Sequence, residues 1–218
     1  MADPPRIAIF GGTFDPIHRG HIEPLLAVAD RMEWTQILFV PAATQPFKTE
    51  RTITPGHHRW AMAALATAGD ARLKLSDIEL ERGSISYTVD TLEDLHAARP
   101  ETALEWVIGD DNLELLVKWR NIERIFELAK FVVLRRDESG LPVALENRLA
   151  APAGRPHAGK IVPVSSPLVP ISGTEIRARV GRGESIDGLV APAVEEYILK
   201  YGLYGAEEHT WRTRSNGA

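Results

Sequence analysis

Two histidines, His18 and His21, stand close together in the stretch GGTFDPIHRGH, which follows the apolar run IAIF near the start of the chain. An imidazole can bind a metal ion, transfer a proton or donate an N–H group to an anion. The glycines around the histidines let a ligand approach the backbone closely, because no side chain intervenes. The spacing of these residues indicates which chemistry fits.

The spacing disfavours a metal site. The zinc-binding histidines of metalloproteases lie four residues apart with a glutamate between them. His18 and His21 are instead three apart, with Arg19 and Gly20 between them. The familiar glycine signatures of nucleotide sites, GxGxxG and GxxxxGK[ST], do not fit the stretch either. We therefore predict no protein ligand to a metal here.

Anion binding agrees better with the stretch. Glycines after a strand expose backbone N–H groups, and a helix that begins near Gly20 would favour negative charge at its N-terminus. Imidazole N–H donors would complete an oxyanion-type site. For any single residue, a plain turn and helix cap remains an equally good interpretation. Asp15, which precedes Pro16, is interpreted as a turn residue.

Short β-rich runs alternate with amphipathic helical segments along the chain, which predicts an α/β fold. Near-continuous apolar strands of this kind form a Rossmann-like, doubly wound parallel sheet with helices on both faces. Ligands of such sheets bind beyond the carboxyl ends of the strands. Four loops are expected there, at residues 11–18, 41–48, 109–111 and 135–137.

The length of 218 residues suits one domain. We predict a single domain over residues 1–205, in which residues 170–205 form a small C-terminal helical part, and a polar, disordered tail over 206–218.

Composition excludes several classes of protein. The formal net charge of −5 argues against general nucleic-acid binding, which needs a basic face. The chain has no cysteine, so disulfides, thiolate nucleophiles and cysteine zinc sites are excluded. No apolar segment approaches the roughly 20 residues that span a bilayer, and no signal peptide is recognised. We expect a cytoplasmic protein without membrane partners, and the sequence leaves a homo-oligomer open.

The stretch GGTFDPIHRGH resembles the HxGH phosphate-binding signature of the nucleotidyltransferase superfamily, with His18, Gly20 and His21 in the motif positions. Further motifs resemble those of bacterial nicotinate-nucleotide adenylyltransferases and cover nearly the whole chain. In chain order they are PAATQPFK, ELERGSISYTVDTL, VIGDDNLELLVKW, VVLRRD, ISGTEIR and YILKYGLY. The combination of SYTVDTL, GDDN and a following tryptophan is far more specific than a lone HxGH.

The resemblance implies adenylyl transfer from ATP to nicotinate mononucleotide, which gives deamido-NAD and pyrophosphate. The attacking phosphate is already a nucleophile, so positioning and charge stabilisation suffice without a general base. Magnesium is expected with ATP, held largely by phosphate oxygens and water.

The resemblance also assigns residues to the ATP phosphates and the transition state: His18, His21, Lys48 and Arg177. Phe47 stands where the family commonly has a histidine before the basic residue, which removes one expected donor. Arg177 would offer a forked guanidinium to the β and γ phosphates. Lys48 would contribute a compact positive charge, and its alternative is a solvated loop lysine.

Nucleotide-binding positions implied by the family motifs are Gly11, Gly12, Thr13, Phe14, Asp111, Arg136, Ser172 and Thr174. Arg135 is the alternative to Arg136 beside the adenine. Gly173 stands where the family usually has serine or alanine. Ser172 and Glu175 also form a capping-box pattern, which is compatible with an anion site at the same helix start.

For the nicotinate side, the resemblance implies that the backbone amides of Tyr87 and Thr88 receive the pyridine carboxylate. Trp119 would stack on the ring. Thr88 is also a candidate helix N-cap, with Asp90 in the first turn, and Trp119 is also a candidate core residue.

Other interpretations remain open at the level of sequence. A sibling pantetheine-phosphate adenylyltransferase or cytidylyltransferase shares HxGH but has no reason to carry SYTVDTL with Trp119. A non-catalytic nucleotide-binding module would be expected to lose His18, His21 or Arg177. Class I aminoacyl-tRNA synthetases have comparable motifs, but a short acidic chain leaves little for tRNA. The amide mononucleotide is a second candidate substrate.

Overall fold

The computed structural model describes residues 3–44, 53–135 and 159–206. Within them the chain forms one sheet of six parallel strands in the order β3-β2-β1-β4-β5-β6. The strands are β1 (Arg6–Gly12), β2 (Trp34–Pro41), β3 (Leu73–Leu75), β4 (Ala103–Gly109), β5 (Ala129–Arg135) and β6 (Ile161–Ser165).

Helices connect the strands and flank the sheet. They are α1 (Arg19–Ala29), α2 (Gly56–Thr67), α3 (Ile78–Arg82), α4 (Thr88–Ala98), α5 (Ile122–Leu128), α6 (Gly173–Gly181) and α7 (Pro192–Lys200). Two 3₁₀ segments, Asp110–Lys118 and Leu203–Gly205, complete the described secondary structure.

Both faces of the sheet are covered by hydrophobic cores, which confirms the predicted doubly wound α/β fold. On one face, side chains such as Leu25, Met62 and Ile176 from α1, α2 and α6 pack together. On the other face, Leu92 and Ile125 from α4 and α5 do so. The apolar strands IAIF, ILFV and FVVL are buried because they contribute to both cores, as a parallel sheet requires.

Two edge strands were not predicted from the sequence. β3 has three residues, with Lys74 exposed, and β6 carries Pro163, which has no N–H to donate. Both strands lie at an edge of the sheet, where one side needs no hydrogen-bond partner. The four inner strands coincide with the apolar runs IAIF, QILFV, ALEWVIG and KFVVL, and three of them extend one or two residues beyond these runs.

The strand order reverses between β1 and β4, the point at which sheets of this topology bind ligands. The pairing of these strands ends at Ile9 and Trp106, although β1 continues to Gly12 and β4 to Gly109. The two strands therefore separate at their carboxyl ends and leave an opening between them. The GGTFDPIHRGH stretch begins at this opening, at Gly11.

The C-terminal elements pack against the start of the chain. Helix α7 lies on α2, and the final 3₁₀ turn lies on α6. The first backbone N–H of α1, at Arg19, donates to the carbonyl of Leu189 at 3.0 Å. This packing gives residues 170–205 a direct role in shaping the site, while the limits of the domain and the nature of the tail remain predictions. Among the described residues, no helix is both long and apolar enough to cross a bilayer.

Candidate active site

The loop after β1 is shaped by two close contacts of its glycines. A Cβ atom on Gly11 would lie 2.7 Å from the Trp106 ring, and one on Gly12 would lie 2.7 Å from the Phe14 ring. Both distances are shorter than van der Waals contact, so larger residues would displace the rings. Packing against these rings is a structural reason for glycine at both positions, and the role of their backbone in binding a ligand remains a prediction.

Phe14 holds the loop in an unusual conformation. Its φ of 50° lies in the left-handed region, which costs energy for a residue other than glycine. The ring is 2% exposed and packs 5.8 Å, between ring centroids, from both Phe10 and Phe39. The buried ring compensates for the backbone strain and fixes the path of the chain toward the histidines.

His18 and His21 lie at the start of α1 with their rings stacked at 3.6 Å between centroids and an angle of 24°. The backbone N–H of His18 donates to Nδ1 of His21 at 3.2 Å. Because Nδ1 accepts this bond, a neutral His21 carries its proton on Nε2, where it can be donated to a ligand. The structure thus brings the two motif imidazoles together, as the sequence predicted.

Gly20, the central residue of HxGH, is closely surrounded by other groups. A Cβ atom there would lie 3.0 Å from Nδ1 of His18 and 3.1 Å from the carbonyl oxygen of Val169. The glycine therefore allows the His18 ring and the segment before α6 to meet at one point.

Polar atoms are buried here without partners. Within the described part of the chain, His18 Nδ1 and Thr13 Oγ1 have no hydrogen-bond partner. Burial lowers the pKa of His18 to about 4, so its imidazole is neutral near pH 7. An unpaired buried polar group is costly unless a ligand satisfies it. These atoms are therefore suited to a polar ligand.

We call HxGH and ISGTEIR the two phosphate motifs, after the roles that the family resemblance implies, and they meet at Asp15. Ser172 caps α6 by accepting the backbone N–H of Glu175 at 3.2 Å, as predicted. Arg177 Nη1 donates to the carbonyl oxygen of Asp15 at 2.5 Å, and its Nη2 donates to Thr174 Oγ1 at 3.0 Å. The fold therefore places the guanidinium of ISGTEIR beside the HxGH loop.

Asp15 is more than the turn residue expected from the sequence. It is 5% exposed, and its carboxylate accepts a hydrogen bond from the Tyr204 hydroxyl at 2.8 Å. The buried Arg59 lies nearby and donates to the carbonyl oxygens of Thr13 at 2.7 Å and Thr54 at 2.8 Å. Burial lowers the pKa of Arg59, and the Asp15 charge opposes that shift.

The predicted nicotinate residues lie on the face of the sheet that α4 and α5 cover. Tyr87 and Trp119 pack against the same core, and Trp119 also contacts Trp106 and Phe131 edge-to-face. The expectation that Thr88 caps α4 is wrong by one residue: Tyr87 occupies the cap and Thr88 is the first helical residue. A backbone N–H in the first turn of a helix has no intrahelical acceptor, so this position suits a carboxylate.

A buried carboxyl group anchors the turn before α4. Glu79 is 4% exposed and accepts hydrogen bonds from the hydroxyls of Thr91, at 2.7 Å, and Ser86. The Ser86 hydroxyl in turn accepts the backbone N–H of Ala43 at 3.1 Å, and the Ser86 N–H donates to Thr44 at 2.9 Å. The SYT turn is thereby tied to the loop that follows β2.

The side chains of three predicted site residues lie outside the described structure. Lys48 and Arg136 lie outside the described residues, as does Phe47. Asp111 lies in the 3₁₀ segment that follows β4, and only its backbone is described. Among the described side chains, no group of three or more histidine, aspartate or glutamate residues could hold a metal ion.

Sequence reasoning missed Arg59, Glu79 and Tyr204. Arg59 had a detectable signal, since it shares the apolar face of α2 with Met62 and Ala63 at helical spacing. The sequence carries no comparable signal for Glu79 and Tyr204, because their hydrogen-bond partners are distant along the chain. Of the other histidines, His57 and His96 are exposed, whereas His58 is partly buried and its Nδ1 lies 2.9 Å from the Tyr197 hydroxyl.

The fold and site define a class of protein: a nucleotidyltransferase whose two phosphate motifs meet at the switch point of the sheet. The family model described as cytidylyltransferase-like matches residues 9–179. A solved structure, the nicotinic acid mononucleotide adenylyltransferase of Plasmodium falciparum in complex with NaAD, superposes with a TM-score of 0.73. It is 21% identical and covers 93% of this chain and 98% of its own, which establishes a shared fold.

Bacterial relatives narrow the class to one family. A probable nicotinate-nucleotide adenylyltransferase of Clavibacter michiganensis is 36% identical over 204 residues, covering 91% of this chain and 94% of the relative. One from Frankia casuarinae is 39% identical over 194 residues, covering 89% and 97%. The chain belongs to the nicotinate-nucleotide adenylyltransferase family, which confirms the resemblance drawn from its motifs.

The low pKa of His18 makes stability depend on pH. The unfolded chain takes up a proton on this residue near pH 6.5, whereas the native protein does so only near pH 4. Stability contributed by the neutral ring is therefore present above pH 6.5 and is lost as the pH falls toward 4. By linkage, we expect the free energy of unfolding to fall by about 2 kcal/mol between pH 7.5 and 5 from this group.

Denaturant unfolding of wild type and of His18→Gln at pH 7.5 and at pH 5 measures the contribution of His18 to the free energy of unfolding, because glutamine does not titrate. The variant should lose about 2 kcal/mol less than wild type. His96→Gln, which changes an exposed histidine, is the control and should follow wild type. Parallel pH profiles for wild type and His18→Gln would contradict the prediction.

Proposed function

We propose that this protein transfers the adenylyl group of ATP to nicotinate mononucleotide and releases pyrophosphate. The observation that carries the proposal is the contact at Asp15, which brings Arg177 beside the loop of His18 and His21 across 162 residues of sequence. A site built of two imidazoles, backbone N–H groups and a guanidinium is suited to phosphates.

The reaction needs positioning more than proton transfer. An oxygen of the 5′-phosphate of the mononucleotide attacks the α-phosphorus of ATP, and the bond from this phosphorus to the α,β-bridging oxygen breaks. The new phosphoanhydride is deamido-NAD, and the electron pair of the broken bond leaves on pyrophosphate. Repulsion between the two anionic reactants and charge on the leaving group are the obstacles, and fixed donors reduce both.

The two histidines serve as donors to the ATP phosphates in this proposal. Their stacked rings and the bond from the His18 N–H to His21 fix both imidazoles before the substrate arrives. Donors that are already oriented cost no reorganisation in the transition state. Thr13, with its unpaired buried hydroxyl, and the backbone of Gly11, Gly12 and Phe14 would complete the cradle.

Arg177 would neutralise charge on the β and γ phosphates from the opposite side. Its contacts to Asp15 and Thr174 hold the guanidinium at the start of α6, where Ser172 already caps the helix. Lys48, Asp111 and Arg136 keep the roles expected from the family motifs: charge at the reacting phosphates, nucleotide contact and adenine contact.

Magnesium would enter with ATP. The described side chains of the two motifs are mostly hydrogen-bond donors, and the Asp15 carboxylate is occupied by Tyr204. They suit the phosphates better than a bare cation, so phosphate oxygens and water would be its main ligands. Bound there, the ion neutralises charge on the triphosphate.

The nicotinate carboxylate would bind at the N-terminus of α4. The backbone N–H of Thr88, in the first turn, can donate to it, with that of Tyr87 beside it, while the face of Trp119 stacks on the pyridine ring. A carboxylate accepts such bonds more strongly than an amide does. The acid mononucleotide should therefore be preferred over the amide. A cytoplasmic location and the lack of nucleic-acid binding remain predictions, and a homo-oligomer remains open.

Purified protein with ATP, magnesium and a mononucleotide tests the proposal through pyrophosphate release. Release is expected with nicotinate mononucleotide and at a lower rate with nicotinamide mononucleotide. Phosphopantetheine serves as the competing acceptor. Turnover with phosphopantetheine and with neither pyridine mononucleotide would overturn the proposal.

His18→Ala should lower kcat by about 100-fold or more, which is the usual loss on removing one transition-state donor. Folding, followed by circular dichroism, should be nearly unchanged at pH 7.5. His96→Ala, at an exposed position, is the control and should retain wild-type turnover. Near-normal turnover of His18→Ala would contradict the catalytic role, and His18 would then be only a helix cap.

Trp119→Ala should raise KM for nicotinate mononucleotide by about 10-fold, since stacking on an aromatic ring typically contributes 1–3 kcal/mol per base. KM for ATP should stay within about 2-fold, because ATP would bind at the other motifs. Trp119 also packs on Trp106 and Phe131, so the assay is run well below the melting temperature of the variant. An unchanged KM for the mononucleotide would remove Trp119 from the site.

A further inference from the structure

Tyr204 reaches the catalytic loop from the far end of the chain. It lies in the 3₁₀ turn Leu203–Gly205, and its hydroxyl donates to Oδ1 of Asp15 at 2.8 Å, across 189 residues of sequence. Its φ of 61° is in the left-handed region, so the turn holds Tyr204 in a strained conformation. The hydrogen bond therefore occurs at a point where the backbone is also constrained.

Asp15 links this turn to the second phosphate motif. Its side chain binds Tyr204, while its carbonyl oxygen accepts the Nη1 group of Arg177 at 2.5 Å. A Cβ atom on Gly173 would lie 3.0 Å from that oxygen and 3.3 Å from Nη1. Three segments thus meet at one residue, and Asp15 contacts both the C-terminal turn and Arg177.

The groups around Tyr204 keep its hydroxyl protonated, so that it can donate a hydrogen bond. Burial and the Asp15 charge raise the pKa of Tyr204, so the phenol stays protonated. The buried Arg59 guanidinium balances the Asp15 charge and binds the carbonyl of Thr13 at 2.7 Å. The Asp15 carboxylate is therefore oriented by a fixed donor in a buried, charged environment, where a hydrogen bond is strong.

We propose that Tyr204 is a positioning residue for adenylyl transfer, which acts through Asp15 to fix Arg177 opposite the two histidines. The inference rests on the proposed function. Tyr204 touches no reacting atom, and its effect is on the geometry of the donor set. Because a misplacement of about 1 Å can cost on the order of 100-fold in rate, loss of one hydroxyl at this junction should reduce kcat.

Tyr204→Phe removes the hydroxyl and retains the ring, so it leaves the packing of the turn largely intact. We expect kcat to fall by about 10-fold, with KM for nicotinate mononucleotide within about 2-fold of wild type, since the nicotinate residues lie elsewhere. Tyr197→Phe is the matched control: its hydroxyl lies 2.9 Å from Nδ1 of His58 rather than in the catalytic loop. This control should retain wild-type kcat.

A double-mutant cycle separates positioning from a general loss of structure. If Tyr204 acts through Arg177, then Tyr204→Phe should lower kcat by less than about 2-fold in the Arg177→Ala background. A purely structural role would instead give the same loss in both backgrounds. An unchanged kcat for Tyr204→Phe, or equal losses in both backgrounds, would overturn the inference.

The inference and the proposed function fail in different ways. Wild-type protein that releases no pyrophosphate with nicotinate mononucleotide contradicts the function before any variant is made. Wild-type turnover with an unaffected Tyr204→Phe contradicts the positioning role alone. Circular dichroism and thermal melting of both phenylalanine variants check that each is folded at the assay temperature.

Discussion

The close approach of the loop after β1 to the start of α6 is the contact on which the site depends. At Gly173 no Cβ separates the helix from the carbonyl of Asp15, so Arg177 can bind that oxygen at 2.5 Å. Gly20 has the same function on the other side, where His18 and the Val169 carbonyl converge. Glycines serve here as points of close approach between elements, in addition to giving a ligand access to the backbone. The two phosphate motifs form one donor set because the fold leaves no side chain between them.

Burial gives this donor set its electrostatic character. His18 is kept neutral by desolvation, and its Nδ1 and the Thr13 hydroxyl are buried without partners in the described structure. Such a site is destabilising for the free protein, as is the left-handed backbone of Phe14. A triphosphate would satisfy the donors and recover part of that cost on binding. The free protein is thus destabilised in the loop after β1, where the proposed adenylyl transfer needs oriented hydrogen-bond donors.

The predicted nicotinate site at the start of α4 is held in place by a different buried group, the Glu79 carboxyl. Glu79 holds Ser86 and Thr91, and Ser86 binds the backbone that follows β2. The start of α4 is therefore fixed to the backbone of Ala43 and Thr44. A buried carboxyl group bonded to two hydroxyls is a rigid anchor, and burial raises its pKa. The predicted nicotinate and ATP sides of the opening are consequently attached to the same sheet by separate polar contacts, one through Glu79 and one through Asp15.

The sequence by itself determined the alternation of strands and helices, because apolar periodicity is a local property of IAIF, ILFV and FVVL. It also determined the family, since SYTVDTL, GDDN and the following tryptophan are specific in combination, and the Ser172 cap, which joins residues three apart. The edge strands β3 and β6 were missed because their sequences are short and mixed. Only the tertiary structure decided that Asp15 joins Tyr204 to Arg177, that Arg59 is buried beneath the loop, and that Gly20 and Gly173 are contact points. These roles depend on partners as far as 189 residues away, and a linear pattern carries no information on which distant groups meet.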